Sequence, residues 1–370
     1  MEFKHLDTLL EHQPYELRRS DKEPLFLEAM KAVALHHYTN CKPYKTLCDK
    51  RGFDPEKFVR LSDLPYLPTS VFKDALLLSI PEKDLFREIN SSATTTGRPS
   101  RIGLDKPTSL RQSKCFNRIV LERLSNKRRK FAVLDVPESI KRTSVVGARS
   151  STIRSLLFCA SEAHTCVEEV DGKFTIDEER LDELLMQAEK DGEQVVIFGF
   201  TYILYAYVVR PLLQKSKTYN LNGSKIIHIG GWKKLESEKV SPEKLIVDCS
   251  QVFGVKKGDV VDFYGFTEQS GMVYPTCEEV VRHMPVWGDV LARDPLTLRP
   301  LPPGKEGLLQ FITPIQTSYP GHSVLTEDMG YIVGVDNCPC GRKGTAFKVV
   351  GRAKQVEVRG CGDIMAEKFA

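Results

Sequence analysis

The stretch TIDEERLDELLMQAEKDGEQVVIFGF, residues 175–200, contains a helix pattern, a turn and a strand pattern in that order. Apolar side chains recur at helical spacing, so we expect Leu181, Leu184, Leu185 and Ala188 to face inward. An Asp-Gly turn follows, and then a run of apolar residues that is typical of a buried strand. The stretch therefore predicts a helix that returns the chain to a sheet.

The same pattern continues further along the chain. GSKIIHIGGWKKL (residues 223–235) and GDVVDFYGFTE (258–268) each contain a strand pattern followed by a glycine turn. Helices and short apolar strands alternate from about 85 to 265, which predicts an α/β layered core with much parallel sheet. Short strands and turns from about 280 to 350 predict a β-rich segment.

The N-terminal part, residues 1 to about 85, is predicted to be mostly helical. SDKEPLFLEAMKAVALHHYTN begins with Ser20 and Glu23 in the spacing of a capping box, which predicts a helix start at this point. The stretch VVIFGFTYILYAYVV is the most apolar one, but it is short and interrupted, and we expect a buried strand that leads into a helix.

Composition and charge exclude several classes of protein. The chain has 370 residues, of which 28% are charged, and its net charge of +4 is too small to indicate a nucleic-acid partner. It contains no run of about 18 apolar residues and no signal-peptide pattern, so we expect no membrane span and a cytoplasmic location. Ten irregularly spaced cysteines indicate reduced thiols or metal ligands rather than a disulfide scaffold.

The segment NSSATTTGRPSRI, residues 90–102, has the composition of a phosphate-binding loop. Hydroxyl and small side chains precede Gly97, and Arg98 and Arg101 follow it. Such a loop can offer backbone N–H groups and hydroxyls to phosphate oxygens, although it lacks the Walker A order. A Ser/Thr-rich surface linker is the equal alternative on this segment alone.

A second segment, VVDFYGFTEQSG, places polar groups directly after a predicted strand. Ligands commonly bind at the carboxyl ends of strands in α/β sheets. The ring of Tyr264 can stack on a base, Thr267 can reach a phosphate, and Glu268 can hold a divalent cation. A packed turn with a capping glutamate is the alternative.

Together these two segments resemble the adenylate-forming superfamily of acyl-CoA synthetases, adenylation domains and firefly-type luciferases. The superfamily motifs are similar to [ST]-S-G-T-T-G-x-P-K and Y-G-x-T-E; here Ala93 replaces a glycine and Ser100 replaces a lysine. LPYLPTSVFKDAL resembles a segment of phenylacetate-CoA ligase relatives. Asp328 matches the aspartate that holds the ribose, and Gly351-Arg352 matches the start of the hinge motif.

The resemblance implies carboxylate activation with ATP and Mg²⁺, which gives acyl-AMP and pyrophosphate. Glu268 would hold the magnesium ion, and the turn in HIGGWKK would line the adenine, unless Trp232 is simply a core residue. The implied nucleotide-binding residues are Ser91, Ser92, Thr94, Thr95, Thr96 and Gly97 in the first motif, Tyr264, Gly265 and Thr267 in the second, and Asp328 and Arg352 further on.

The C-terminal sequence GRAKQVEVRGCGDIMAEKFA resembles the acyl-protein synthetases of bacterial bioluminescence operons. It leaves no room for the lysine-bearing small domain of other members, so we expect a truncated C-terminal domain: 1–350 as the adenylation domain and 351–370 as a short mobile tail. By resemblance, Cys361 would accept the acyl group as a thioester. Arg359 would favour the thiolate, and Asp363 would oppose it.

The same resemblance implies partners and leaves alternatives. A long-chain fatty acid, supplied by an acyltransferase or thioesterase, would pass through Cys361 to an acyl-protein reductase that makes aldehyde for luminescence. The alternatives are a CoA ligase of the phenylacetate type and a non-catalytic nucleotide- or acyl-binding subunit of a reductase complex.

Four residues of the β-rich segment have the side chains of a zinc site. Cys277, His283, Cys338 and Cys340 offer three thiols and an imidazole, which is a normal zinc ligand set. Some phenylacetate-CoA ligase relatives bind a structural zinc ion through a similar arrangement. Unpaired reduced thiols are the equal alternative.

Overall fold

The computed structural model describes residues 3–91, 98–141, 148–170, 173–232 and 238–353. The helices are α1 (Lys4–Leu9), α2 (Arg19–Asn40), α3 (Lys42–Arg51), α4 (Val71–Asp74), α5 (Lys106–Leu124), α6 (Ala148–Leu156), α7 (Glu178–Asp191), α8 (Thr201–Ile203), α9 (Arg210–Gln214) and α10 (Pro242–Phe253).

The strands are β1 (Leu67–Pro68), β2 (Arg87–Asn90), β3 (Arg101–Leu104), β4 (Arg129–Leu134), β5 (Ala160–Thr165), β6 (Val167–Val170), β7 (Lys173–Ile176), β8 (Val196–Phe200), β9 (Lys225–Ile229), β10 (Val260–Tyr264), β11 (Tyr274–Pro275), β12 (Arg282–His283), β13 (Asp289–Arg293), β14 (Gly307–Ile312), β15 (Ser323–Val335) and β16 (Thr345–Arg352).

The chain forms two compact units. The first comprises Met1–Ile119, Gly265–Tyr274 and Val281–Ala370, and the second comprises Val120–Tyr264 and Pro275–Val280. Tyr264 therefore belongs to the second unit, while Gly265–Tyr274, directly after it, belongs to the first. The predicted division at residue 350 into a large domain and a tail stays a prediction.

A largely parallel sheet organises the second unit. Its strands follow the order β10-β9-β8-β4-β5, and the pairs β10/β9, β9/β8, β8/β4 and β4/β5 are parallel. In the central strands β4 and β8, residues 131–134 and 196–199 are apolar and buried, as expected for a parallel sheet that is covered on both faces. The predicted α/β core with parallel strands is confirmed.

The quoted stretch 175–200 folds as predicted. The carboxylate of Asp177 accepts a hydrogen bond from the Arg180 backbone N–H and caps α7, and Gly192 directly after the helix has the left-handed conformation (φ 64°). Leu181 and Leu185 are buried, and each contributes roughly 2 kcal/mol through removal from water. The cap at Asp177, the glycine at position 192 and the buried leucines are all consistent with the bounds of α7.

The most apolar stretch forms a buried strand and a helix, as predicted. β8 leads into α8, a π-helical segment at Leu204–Val209 and then α9. Within the part of the chain that the structure describes, no helix is both long enough and apolar enough to cross a bilayer.

The first unit contains an antiparallel sheet in the predicted β-rich segment. Its strand order is β12-β16-β15-β14-β13, and β1 adds a short parallel pair to β15. β15 and β16 make the longest pairing, from Asp328↔Arg352 to Val335↔Thr345. These two strands carry residues of the candidate site.

The predicted capping box at Ser20 is wrong. Helix α2 begins at Arg19, and the Ser20 hydroxyl donates to its neighbour Asp21 instead. The backbone N–H of Arg19 donates to a carboxylate oxygen of Asp336 at 2.9 Å, so a distant residue satisfies this helix terminus. A tertiary contact replaced the local pattern.

Candidate active site

The base of the predicted phosphate loop is a closed hairpin. Strands β2 and β3 pair up to Asn90↔Arg101, and the Ser91 N–H then donates to the Ser100 carbonyl at 2.9 Å. The Ser100 N–H donates back to the Ser91 hydroxyl oxygen at 2.7 Å. This reciprocal pair fixes the two ends of the loop.

The tip of this loop lies outside the described residues. Ser92, Thr94, Thr95, Thr96 and Gly97 belong to it. Their contacts with phosphate therefore stay predictions, as does a phosphate contact of Ser91, whose hydroxyl oxygen accepts the bond from Ser100.

The second motif begins at the carboxyl end of a parallel strand, as predicted. β10 ends at Tyr264, and Thr267 and Glu268 form a short 3-10 turn after Gly265. The Tyr319 hydroxyl donates to the Glu268 carbonyl at 3.0 Å. This hydrogen bond helps to hold the backbone of the turn in one position.

Two further contacts fix this turn against the antiparallel sheet. The Gln269 side-chain amide donates to the carbonyls of Phe311 and Gly321 at 3.0 Å each. A Cβ atom at position 321 would lie 2.7 Å from the Glu268 carbonyl oxygen and 2.4 Å from the Tyr319 ring, so this approach requires a glycine.

The side chain of Glu268 is buried against the base of the phosphate loop. The Ser100 hydroxyl donates to the Oε1 of Glu268 at 2.5 Å. Ser100 is 1% exposed and Glu268 is 5% exposed. Burial raises the pKa of Glu268, and the charge of Glu327 adds to this, while the Ser100 hydrogen bond and the charge of Lys73 oppose it. A bound cation would stabilise the ionised carboxylate in this environment.

Asp328 and Arg352 lie side by side on adjacent strands. They are register partners in the β15/β16 pair, and Arg352 Nε lies 3.8 Å from Asp328 Oδ1. Arg352 is largely exposed, whereas Asp328 is mostly covered. An acidic and a basic group next to each other suit a ligand that carries hydroxyls and phosphate.

Sequence reasoning assigned no site role to Lys73 or Glu327. Both act electrostatically on Glu268. Lys73 lies in LPYLPTSVFKDAL, a segment already noted for its resemblance, and Glu327 directly precedes Asp328. Their positions, in one resembling segment and next to one predicted site residue, could have indicated a role in the site.

In the second unit, strand β9 contains a hydrogen-bonded histidine, His228. The Thr201 hydroxyl donates to the Gly230 carbonyl at 2.6 Å and lies 2.9 Å from His228 Nδ1. Because the hydroxyl has a single proton, the Nδ1–H of His228 must donate to it. Trp232 belongs to the hydrophobic core, with its ring edge-on to Tyr205 at 5.5 Å, which supports the structural alternative for this tryptophan.

Three predicted metal ligands come together in the first unit. The ligand atoms of His283, Cys338 and Cys340 lie within 4.8 Å of one another, with 3.4 Å between Cys340 Sγ and His283 Nε2. Burial raises the pKa of the Cys340 thiol, but hydrogen bonds from Arg342 and Cys338 outweigh it and lower this pKa. Two thiols and an imidazole fit the preferences of zinc.

The fourth predicted ligand, Cys277, lies in the short segment Pro275–Val280 of the second unit. Its side chain is buried, and its Sγ accepts a hydrogen bond from the Glu279 N–H at 3.4 Å. The thiolate form of a cysteine is the form that binds metal ions.

The fold is that of the adenylate-forming ligases. A structure of 2-hydroxyisobutyryl-CoA ligase in an open conformation, with 2-HIB-AMP and CoA, matches with a TM-score of 0.68 and 14% identity, over 92% of this chain and 76% of that one. The predicted layered α/β adenylate-forming fold is confirmed.

The chain belongs to the LuxE acyl-protein synthetase family, whose model matches residues 3–370, and it is an ATP-dependent ligase. A long-chain-fatty-acid–luciferin-component ligase of Vibrio harveyi is 23% identical over 369 residues, 98% of this chain and 93% of that protein. A phenylacetate-coenzyme A ligase of Thermus thermophilus is 31% identical over 103 residues, 26% of this chain and 22% of that protein. The resemblance noted in the sequence is confirmed.

Proposed function

We propose that the protein activates a long-chain fatty acid with ATP and carries the acyl group on its own Cys361. An acyl-protein reductase then receives the acyl group and makes the aldehyde for luminescence. The observation that carries the first step is the buried Glu268 carboxylate at the base of the phosphate loop, in a chain of the LuxE family. The name of the Vibrio harveyi relative supports the fatty-acid substrate.

In the first step, a carboxylate oxygen of the acid attacks the α-phosphorus of ATP. The new P–O bond gives acyl-AMP, and the bond to pyrophosphate breaks. Asp328 accepts hydrogen bonds from the ribose hydroxyls, and Arg352 neutralises phosphate charge next to it. Glu268 holds Mg²⁺, which supplies charge neutralisation when it is bound.

In the second step, the thiolate of Cys361 attacks the acyl carbon of acyl-AMP. A C–S bond forms, the C–O bond to phosphate breaks and AMP leaves. Cys361 lies outside the described residues, and the family and the neighbouring sequence support its proposed role. A cytoplasmic location and an acyltransferase or thioesterase that supplies the acid are parts of the same proposal.

A structural zinc ion completes the proposal. His283, Cys338 and Cys340 provide three ligands, and Cys277, six residues before His283 in the chain, provides the fourth. The zinc ion would link the turn between β15 and β16 to His283 of β12.

CoA is the alternative acceptor. The matched 2-hydroxyisobutyryl-CoA ligase contains CoA, and a segment of the chain resembles a phenylacetate-CoA ligase.

One labelling experiment separates these functions. Wild type, Cys361→Ser and the control Cys159→Ser, a buried thiol elsewhere, are incubated with labelled fatty acid, ATP and Mg²⁺. We expect hydroxylamine-labile label on wild type and control but not on Cys361→Ser, with fatty-acid-dependent pyrophosphate exchange in all three. Label on Cys361→Ser would contradict the assigned nucleophile, and acyl-CoA formation would support the CoA ligase.

A further inference from the structure

We infer that Ser100 is a positioning residue, which ties the carboxylate of Glu268 to the base of the phosphate loop. The inference rests on the proposed adenylation, in which Glu268 holds the divalent cation. Ser100 itself contacts neither the nucleotide nor the cation in this scheme. Its function is to hold the carboxylate that does.

Three groups of Ser100 act at once. Its N–H donates to the Ser91 hydroxyl at 2.7 Å, its carbonyl accepts from the Ser91 N–H at 2.9 Å, and its hydroxyl donates to Glu268 Oε1 at 2.5 Å. The loop ends and the carboxylate are therefore joined through one residue. A change in the position of either one must be transmitted to the other.

Because Ser100 and Glu268 are both buried, water does not easily substitute for the hydrogen bond between them. Glu268 is 5% exposed, so water cannot replace the serine hydroxyl as a partner without entering the packed turn. A carboxylate offers about four acceptor sites, and one bond from Ser100 leaves others for a cation. The hydrogen bond thus orients the carboxylate without saturating it.

The backbone on the Glu268 side is already fixed. Tyr319 and Gln269 hold the turn on the antiparallel sheet, so the carboxylate has only its own side-chain torsions left to settle. The Ser100 hydroxyl restricts these torsions. Partners of this kind, which orient a metal ligand, change metal affinity by roughly 10- to 100-fold when they are removed.

The test measures binding of Mn²⁺ by electron paramagnetic resonance, in the presence of α,β-methylene-ATP, an analogue whose α,β bridge cannot be cleaved, so that no acyl-AMP forms. Wild type is compared with Ser100→Ala, Ser100→Thr and Ser224→Ala. Ser224 is a matched control in the second unit, because it is fully buried and its hydroxyl accepts from the Val195 N–H. Melting temperatures are measured for all proteins.

We expect the dissociation constant of Mn²⁺ to rise about 10-fold in Ser100→Ala, to stay near wild type in Ser100→Thr and to be unchanged in Ser224→Ala. An unchanged constant in a folded Ser100→Ala protein would overturn the inference. If that variant does not fold, Ser100→Cys keeps the size with a weaker donor. The Ser100→Cys protein must then bind Mn²⁺ more weakly than wild type. Equal binding by the two proteins would overturn the inference.

Pyrophosphate exchange, measured on the same proteins, separates the two proposals. A wild type that binds Mn²⁺ with the analogue but shows no fatty-acid-dependent exchange would contradict the proposed function, and the Ser100 inference would still be decided by the dissociation constants. Exchange in wild type together with equal Mn²⁺ binding in Ser100→Ala would contradict the Ser100 inference alone.

Discussion

Asp328 and Arg352 face each other across two antiparallel strands, with 3.8 Å between Asp328 Oδ1 and Arg352 Nε. Their positions are held by the sheet rather than by a loop, so the pair is available before any ligand arrives. We therefore expect that a change in either residue weakens the binding of ATP.

Asp328→Asn and Arg352→Gln should each raise the KM for ATP about 10-fold, since each removes one charge-assisted contact. The KM for fatty acid should change much less. Steady-state pyrophosphate exchange measures both constants, and Arg299→Gln, an exposed arginine of the same unit, serves as the control. A KM for ATP that stays at the wild-type value in both variants would contradict the roles given to these residues.

Lys73→Met should shift the pH dependence of exchange. The positive charge of Lys73 lowers the pKa of Glu268, so its removal raises that pKa. Because exchange requires the ionised carboxylate, the acidic limb of the pH–rate profile should move to higher pH. The exposed Lys83→Met protein should keep the wild-type limb. A limb that does not move would show that Lys73 has no effect on the catalytic carboxylate.

Much of this site was predictable from sequence, for a physical reason. The turn after β10 and the residues Asp328 and Arg352 were found through short motifs, whose residue types the proposed nucleotide would require. Ser100 was first noted only as a departure from a lysine, because its partner Glu268 is 168 residues away. Likewise, Asp336 and not the predicted capping box at Ser20 binds the backbone at the start of α2, and only the tertiary structure reveals this contact.

Acid should destabilise the first unit through a buried pair of histidines. His37 and His322 stack at 4.6 Å and are both fully buried. Burial lowers the pKa of His37 well below its usual value and that of His322 to about 3. Since protonation is disfavoured only in the folded state, stability is fully present above the unfolded pKa of about 6.5 and is lost as the pH falls below it.

Urea unfolding between pH 8 and pH 5 tests this expectation. Below pH 6, the free energy of unfolding should fall by up to about 1.4 kcal/mol per pH unit for each histidine. His322→Gln should reduce the slope, whereas the exposed His5→Gln should leave it unchanged. A slope that is the same in all three proteins would refute the assignment.

Removal of the proposed zinc ion should loosen the N-terminal segment. The Lys343 N–H donates to the Tyr15 carbonyl at 3.2 Å, the Tyr15 ring lies 6.0 Å from the His283 ring, and Asp336 binds the N–H groups of both Arg19 and Gly344. The ligand-bearing turn therefore holds the start of α2.

Metal analysis should find one zinc per chain, and a chelator should increase hydrogen exchange in residues 13–23. Cys340→Ser should reproduce this increase without chelator, while the buried Cys48→Ser, which lies in α3, should not. A metal-free protein with wild-type protection in this segment would contradict the prediction.

The central claim is that the protein acylates itself at Cys361 after forming acyl-AMP. The most direct measurement is peptide mass spectrometry of the protein after incubation with ATP, Mg²⁺ and a long-chain fatty acid. The account predicts an added acyl mass on the peptide that contains Cys361, dependent on ATP and removed by hydroxylamine. An acyl mass on a different residue, or none under conditions where pyrophosphate exchange proceeds, would contradict it.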